Sequence, residues 1–279
     1  MTVPSVIVLS VRDARRWPVS TVAVAVVDAG GEVVGREGPQ DRPFALASVT
    51  KMLSAYAVLL AVQEGAVELD QPAGPPGSTV RHLLAHASGL AYEGSRVVAA
   101  PGTKRSYSNT GFEVLAEVVA SSSGIPFPEY LAEGVLGPLR MTATRLVGGA
   151  AAGAVSTCAD LSRFAAELHK PALLAPQILA EATSVAFPGL SGVLPGYGMY
   201  RRNDWGLGFE LRDDKNPHWT GTRNSPRTFG HFGQSGTFLW VDPVAGAACI
   251  ALTDRVFGPW AREHWPALSD AVLTELAQA

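Results

Sequence analysis

The sequence predicts an α/β (α+β) fold, in which one antiparallel sheet is built from both termini and flanked by helices, with a mostly helical region inserted between. Three observations predict it. β-Prone runs stand at 20–27 and 32–35, strand signals return only after residue 204, and the stretches between carry helical signals. On this division 1–55 and 190–279 form the sheet region and 56–189 the helical region. A cleft is expected along their junction, where pockets commonly lie.

The first apolar run, 6–11, is β-branched but leads into a polar segment, so helix and strand both fit it. The next two runs are joined by Asp28-Ala29-Gly30-Gly31, whose glycines permit the positive φ of a hairpin turn. Residues 38–43 link to a helix that opens near Ser48, carries the apolar run 52–63 and stops at Gly65. After a Pro/Gly turn segment, Thr79 caps a short helix through His86, which Ser88-Gly89 stops. A polar loop at 99–111 feeds an amphipathic helix at 112–121. Two further helices are expected at 126–135 and at 156–169, the second with Ser156 or Thr157 as cap and Leu161, Phe164 and Leu168 as its buried stripe. Residues 187–203 read as a long glycine- and proline-rich loop, of the kind that often carries function. Strands are expected at 205–211, 228–231, 236–242 and 247–253, and a last helix at 265–276.

With 279 residues, 47% of them hydrophobic, the chain has ample material for a core. A net charge of -3 and no basic patch interleaved with aromatics disfavour nucleic acid as a partner. Cys158 and Cys249 stand far apart without a C-x-x-C spacing and read as core thiols. The apolar stretch 55–62 is far short of the roughly 18 residues that span a bilayer, so no membrane partner is expected. The N-terminal stretch lacks the pattern of a secretory signal, which makes a soluble, cytoplasmic protein the expectation.

The chemistry centres on Ser48-Val49-Thr50-Lys51. On a helix, residues three apart share a face with Cβ atoms roughly 5–6 Å apart, so a lysine amine reaches a serine hydroxyl. A desolvated lysine can lose its proton and act as base for the serine, whereas an arginine stays charged. Only four of the 22 basic residues are lysines, which makes one at this point informative. An isolated S-x-x-K is also what a helix cap followed by a solvated lysine looks like, so further motifs must decide. His82 and His86 lie four apart on a helix but lack the glutamate of H-E-x-x-H and an obvious third ligand. They are expected to hydrogen-bond and fix the next loop, and no metal is expected.

Two further motifs follow in order: Tyr107-Ser108-Asn109 in the polar loop and His231-Phe232-Gly233 on a late strand. Together with Ser48-x-x-Lys51 they resemble the serine β-lactamase and penicillin-binding-protein superfamily, whose signatures are S-x-x-K, S-D-N and K-T-G. The Y-x-N form is similar to the branch holding class C β-lactamases, D-peptidases and esterases. The blocks LASVTK, HLLAHASGL, PGTKRSYSNTGFEVLAEVV, GAVSTCADLSRFAAEL and GHFGQSGTFLWVDP stand in the family's order. The resemblance implies the β-lactamase/transpeptidase-like form of the fold and an acyl-enzyme mechanism on an ester or amide, with no cofactor. Ser48 would be the nucleophile and Lys51 its partner. Tyr107 would share the base role as a phenol whose anion the lysine stabilises, and Asn109 would bind Lys51 and the acyl group. The backbone N–H groups of Ser48 and Gln234 would form the oxyanion hole, with Gly233 letting the backbone approach the substrate.

Where β-lactamases have lysine and threonine to bind the antibiotic's carboxylate, this chain has His231 and Phe232. An ester substrate is therefore favoured over a β-lactam or a D-peptide. A histidine near its ordinary pKa of about 6.5 supplies charge only when protonated, so any β-lactam activity is expected to improve toward about pH 6. Trp219, Arg223, Arg227 and Tyr197 are candidates for lining the pocket. Acyl transfer in place of hydrolysis, and a non-catalytic acyl-binding module, are the alternative readings.

Overall fold

The computed structural model describes residues 7–278. Of the first apolar run, Val6 lies outside the described residues; downstream the chain forms a 3₁₀ helix at Ser10–Arg16. Strand β1 (Val22–Asp28) turns through Gly31, at φ 90°, into β2 (Val33–Glu37), as the hairpin reading required. At the other end of the chain come β8 (Glu210–Leu211), β9 (Phe229–Gly233), β10 (Thr237–Asp242) and β11 (Ala247–Thr253). The six form one sheet in the order β2-β1-β11-β10-β9-β8, its recorded pairs antiparallel, with β1 against β11 joining the two ends of the chain.

Both faces of this sheet are covered, and the strand alternation divides its side chains between two apolar clusters. Val24, Val26, Trp240 and Cys249 pack with Trp17 of the N-terminal segment and with Trp260 and Trp265 of the C-terminal helix, Pro259–Leu276. Ala25, Val27, Leu239 and Ile250 face the larger cluster, which runs on through α1 (Thr50–Gln63) and α5 (Cys158–His169). Between these helices lie α2 (Val80–Leu84), α3 (Thr110–Ser123) and α4 (Phe127–Leu131), the last continued by one π turn, Ala132–Leu136. A second, three-stranded sheet joins β3 (Phe44–Ala45), β5 (Ala154–Ser156) and β4 (Arg145–Leu146). Thr79 caps α2 and Thr157 caps α5 through their side chains. Both cysteines are buried and free.

Four expectations need correction. Residues 205–211 are not one strand: only Glu210–Leu211 join the main sheet and Trp205 makes isolated bridges to Ala186 and Glu210, because Gly206 and Gly208 turn the chain tightly, and a Cβ on Gly208 would lie 2.1 Å from that of Ala55. A helix, α6 (Pro176–Ala182), stands where no element was expected, opened by a proline at its first position. The 187–203 stretch is not a plain loop but holds a small hairpin, β6 (Gly192–Leu194) and β7 (Gly198–Tyr200). The C-terminal helix, α7, begins six residues earlier than its apolar pattern indicated, at Pro259. Among the described residues no helix is long and apolar enough to cross a membrane.

Candidate active site

Ser48 sits in a 3₁₀ turn, Ala47–Val49, that runs directly into α1. The turn is held in an uncommon conformation: Ala47, with φ 45°, lies in the left-handed region. It is clamped from the main sheet, where Thr237 Oγ1 donates to the Leu46 carbonyl at 2.9 Å. Gly233 completes the clamp, since a Cβ there would lie 2.3 Å from that same carbonyl. The close approach that glycine permits here is to the turn that carries Ser48. Ser48 makes no side-chain cap to the helix, so its hydroxyl is free for other partners.

One turn on, Lys51 is fully buried, and its Nζ donates to Asn109 Oδ1 at 2.6 Å and to the Ala151 carbonyl at 2.9 Å, with Ser48 Oγ at 3.3 Å. Asn109 stands at the N-cap of α3 yet makes no cap bond, because its side chain is turned to Lys51. Burial brings the Lys51 ammonium down to about 7, with Glu113 and Glu93 opposing it. A neutral amine is then well populated near neutral pH.

Tyr107 is enclosed by rings: His86 at 4.3 Å between centroids, Trp205 at 5.7 Å, His231 at 5.9 Å and Tyr92 at 6.0 Å. Lys51 Nζ lies 4.9 Å from the centroid of the phenol ring and not against its oxygen. The lysine makes no hydrogen bond to the phenol oxygen. Burial pushes the Tyr107 hydroxyl well above its usual range, and the Ser48 hydroxyl offsets this only in part. Burial thus works against Tyr107 as an anionic base.

His231 is likewise not a switchable cation. Its ring is buried and held down to about 3, by burial first and by Lys51 second. Nδ1 lies 2.7 Å from the Phe232 carbonyl, which only accepts, so Nδ1 carries the proton and Nε2 a lone pair. Tyr107 Oη, 3.4 Å from Nε2, is then the donor of that contact. The gain in β-lactam activity toward about pH 6 falls with the protonation on which it rested. Phe232 packs against Phe257, Tyr197, Trp219 and Trp265 as part of the core behind the site.

A cavity opens over Ser48, with Gln234 on its wall. Tyr92, Tyr107, Trp205, Leu194, Pro195 and Phe232 make it apolar, and Glu210 is the one carboxylate that lines it. Glu210 is fully engaged: it takes the Lys215 ammonium, His218 Nε2 at 2.9 Å and Trp219 Nε1 at 2.9 Å. Of the expected pocket residues none lines this cavity. Trp219 is buried behind Glu210, Tyr197 packs on Phe232 and faces a neighbouring cleft, and Arg223 and Arg227 are exposed. Two of the aromatic residues that line it, Tyr92 and Trp205, carry no motif signal: Tyr92 lies in a loop and Trp205 falls in a stretch that reads as strand. His86 Nδ1 accepts the Ser108 amide at 3.2 Å, as the loop-fixing reading expected, whereas His82 Nδ1 lies 2.9 Å from Thr79 Oγ1, the cap of its own helix.

Arg105 pins the loop that carries Tyr107. Its guanidinium is buried and donates to the carbonyls of Ala85, Ala186, Phe187 and Asn203, tying three segments together without a direct ion pair. Arg105→Ala strands those carbonyls beside a cavity and is expected to cost about 3–5 kcal/mol. A thermal midpoint lowered by about 10 °C is the expected readout, and one within about 2 °C of wild type would show that water replaces the guanidinium.

A family model described as Beta-lactamase matches residues 14–273 of this chain. The chain belongs to the β-lactamase family. The crystal structure of a β-lactamase from Mycobacterium bovis is similar at 58% identity and a TM-score of 0.94, over 96% of this chain and 99% of that one. The D-alanyl-D-alanine-carboxypeptidase/endopeptidase AmpH of Escherichia coli is 26% identical over 171 residues, 44% of each chain. Esterase EstB of Burkholderia gladioli is 36% identical over 96 residues, 25% of this chain and 24% of EstB. The matched stretch thus spans less than half the length of these two curated relatives. The family is mostly one of serine hydrolases, and its members include D-peptidases, esterases and acyltransferases.

Proposed function

We propose that this protein is a serine hydrolase that cleaves an uncharged ester through an acyl-Ser48 intermediate. The observation that carries the reading is a fully buried Lys51 whose Nζ lies 3.3 Å from Ser48 Oγ beneath an apolar cavity, with burial lowering the pKa of both Lys51 and His231. Lys51 Nζ takes the Ser48 proton as Oγ bonds the carbonyl carbon. The Ser48 and Gln234 amides receive the developing oxyanion. The ester C–O bond then breaks, and the proton passes by way of the Tyr107 hydroxyl to the departing alkoxide. Water repeats the sequence on the acyl-enzyme, with Lys51 again the base, and releases the acid. A binding module that only held an acyl group would have no need of the lysine, the phenol and the asparagine together.

A second reading, hydrolysis of a β-lactam or D-peptide, is favoured by the names of the Mycobacterium and Escherichia relatives. Such substrates carry a carboxylate, and losing a hydrogen bond to a charged group costs about 1.5–3 kcal/mol, or roughly tenfold to a hundredfold in rate. Short-chain aryl esters are expected to show a higher kcat/KM than a chromogenic cephalosporin. Because His231 stays neutral, the ratio of the two is expected to be flat between about pH 8 and about pH 6. A cephalosporin turned over faster than every ester would sink the ester assignment. Transfer of the acyl group to an alcohol in place of water is read from the same assay by adding the alcohol and measuring the new ester.

A further inference from the structure

Resting on the reading of Lys51 as base, we propose that Glu113 and Glu93 are positioning residues that hold Lys51 at the nucleophile and bias it toward the ammonium, each acting through one of the two oxygens that bind its Nζ. Behind each oxygen stands a carboxylate. Glu113, one turn beyond Asn109 on α3, accepts the amides of Ala150 and Ala151, both at 3.0 Å. It thereby fixes the backbone on the N-terminal side of Ala151, the residue whose carbonyl faces Lys51. The fit is tight: a Cβ on Gly149 would lie 2.4 Å from a Glu113 oxygen. Glu93 acts on the other side, taking Asn109 Nδ2 at 2.7 Å. An amide has one oxygen, so anchoring its NH₂ on Glu93 directs Oδ1 to Lys51; without that anchor the amide can rotate and present its NH₂ to an ammonium.

The other titratable groups around Lys51 are Tyr107 on the polar loop, His86 after α2 and His231 on β9. Burial keeps all three uncharged. Glu113 and Glu93 are thus the charges that oppose desolvation of Lys51. Burial alone would leave a weaker amine, easily freed of its proton but a poor acceptor for that of serine.

The test is a pH titration of the Lys51 side chain by NMR of protein labelled with ¹³C-lysine, whose four lysines give a simple spectrum, Lys51 being assigned from Lys51→Met. Glu113→Gln is expected to lower the midpoint by about one pH unit, and the acid limb of kcat/KM on an ester by the same amount. Glu93→Gln is expected to lower it less, with an effect that vanishes in about 1 M salt because Glu93 is exposed. Gly149→Ala displaces the Glu113 carboxylate without removing its charge, and is expected to lower kcat with a smaller change in midpoint. Midpoints unchanged in both glutamine variants overturn the proposal, and the exposed Glu93 supplies that result even where Glu113→Gln fails to fold. Shifted midpoints in a protein whose Ser48 never reacts with a fluorophosphonate would support the proposal and refute the hydrolase reading.

Discussion

Ser48→Ala is expected to reduce ester turnover by about 10⁴-fold or more, and to abolish covalent labelling by a fluorophosphonate while the fold is kept. The size follows from what remains. Without Oγ there is no acyl-enzyme, and neither Lys51 nor the cavity walls offer another nucleophile placed over the same site. Residual rate would come from the oxyanion donors and Lys51 acting on a water. The hydroxyl is half-buried and makes no helix cap, so its removal is expected to change stability by less than about 1 kcal/mol. Peptide mapping of the labelled wild type is expected to place the adduct on Ser48. Labelling that persisted in Ser48→Ala, or an adduct mapped elsewhere, would remove Ser48 as the nucleophile.

The three motifs were legible in the sequence because the chemistry that the family resemblance implies demands particular residue types at particular spacings. A serine and a lysine one helical turn apart carry their meaning locally, as do the glycine turn of the β1–β2 hairpin and the Thr79 and Thr157 caps. The electrostatics were not legible, because they come from segments distant in the chain. How readily Tyr107 ionises depends on its burial, and only the packing of the surrounding rings, from segments distant in the chain, decides that. His231 reads as a pH-sensitive group until its Nδ1 is seen against the Phe232 carbonyl inside the core. The pocket walls were misread for a similar reason. Trp219, near the strand motif in sequence, is drawn behind the site by Glu210, whereas Trp205, read as part of a strand, is turned into the cavity at the Gly206 bend.

Lys51→Arg is expected to be nearly as damaging as Lys51→Met, each lowering kcat/KM on an ester by about 10³-fold, within the range that loss of a general base produces. A lysine held near 7 loses its proton in the working range, whereas the guanidinium stays charged throughout. Arginine would also bring a planar fork into a space that fits one nitrogen between Asn109 Oδ1, the Ala151 carbonyl and Ser48 Oγ. The sign of the pH dependence follows from the same group. Only the amine accepts the serine proton, so wild-type kcat/KM is expected to fall as pH drops through about 7, tenfold per unit below it. That limb is expected to be absent from the residual activity of both variants. Retention of most activity by Lys51→Arg, with the acid limb intact, would make Lys51 a fixed charge. The base would then have to be Tyr107, against the burial that keeps its phenol protonated.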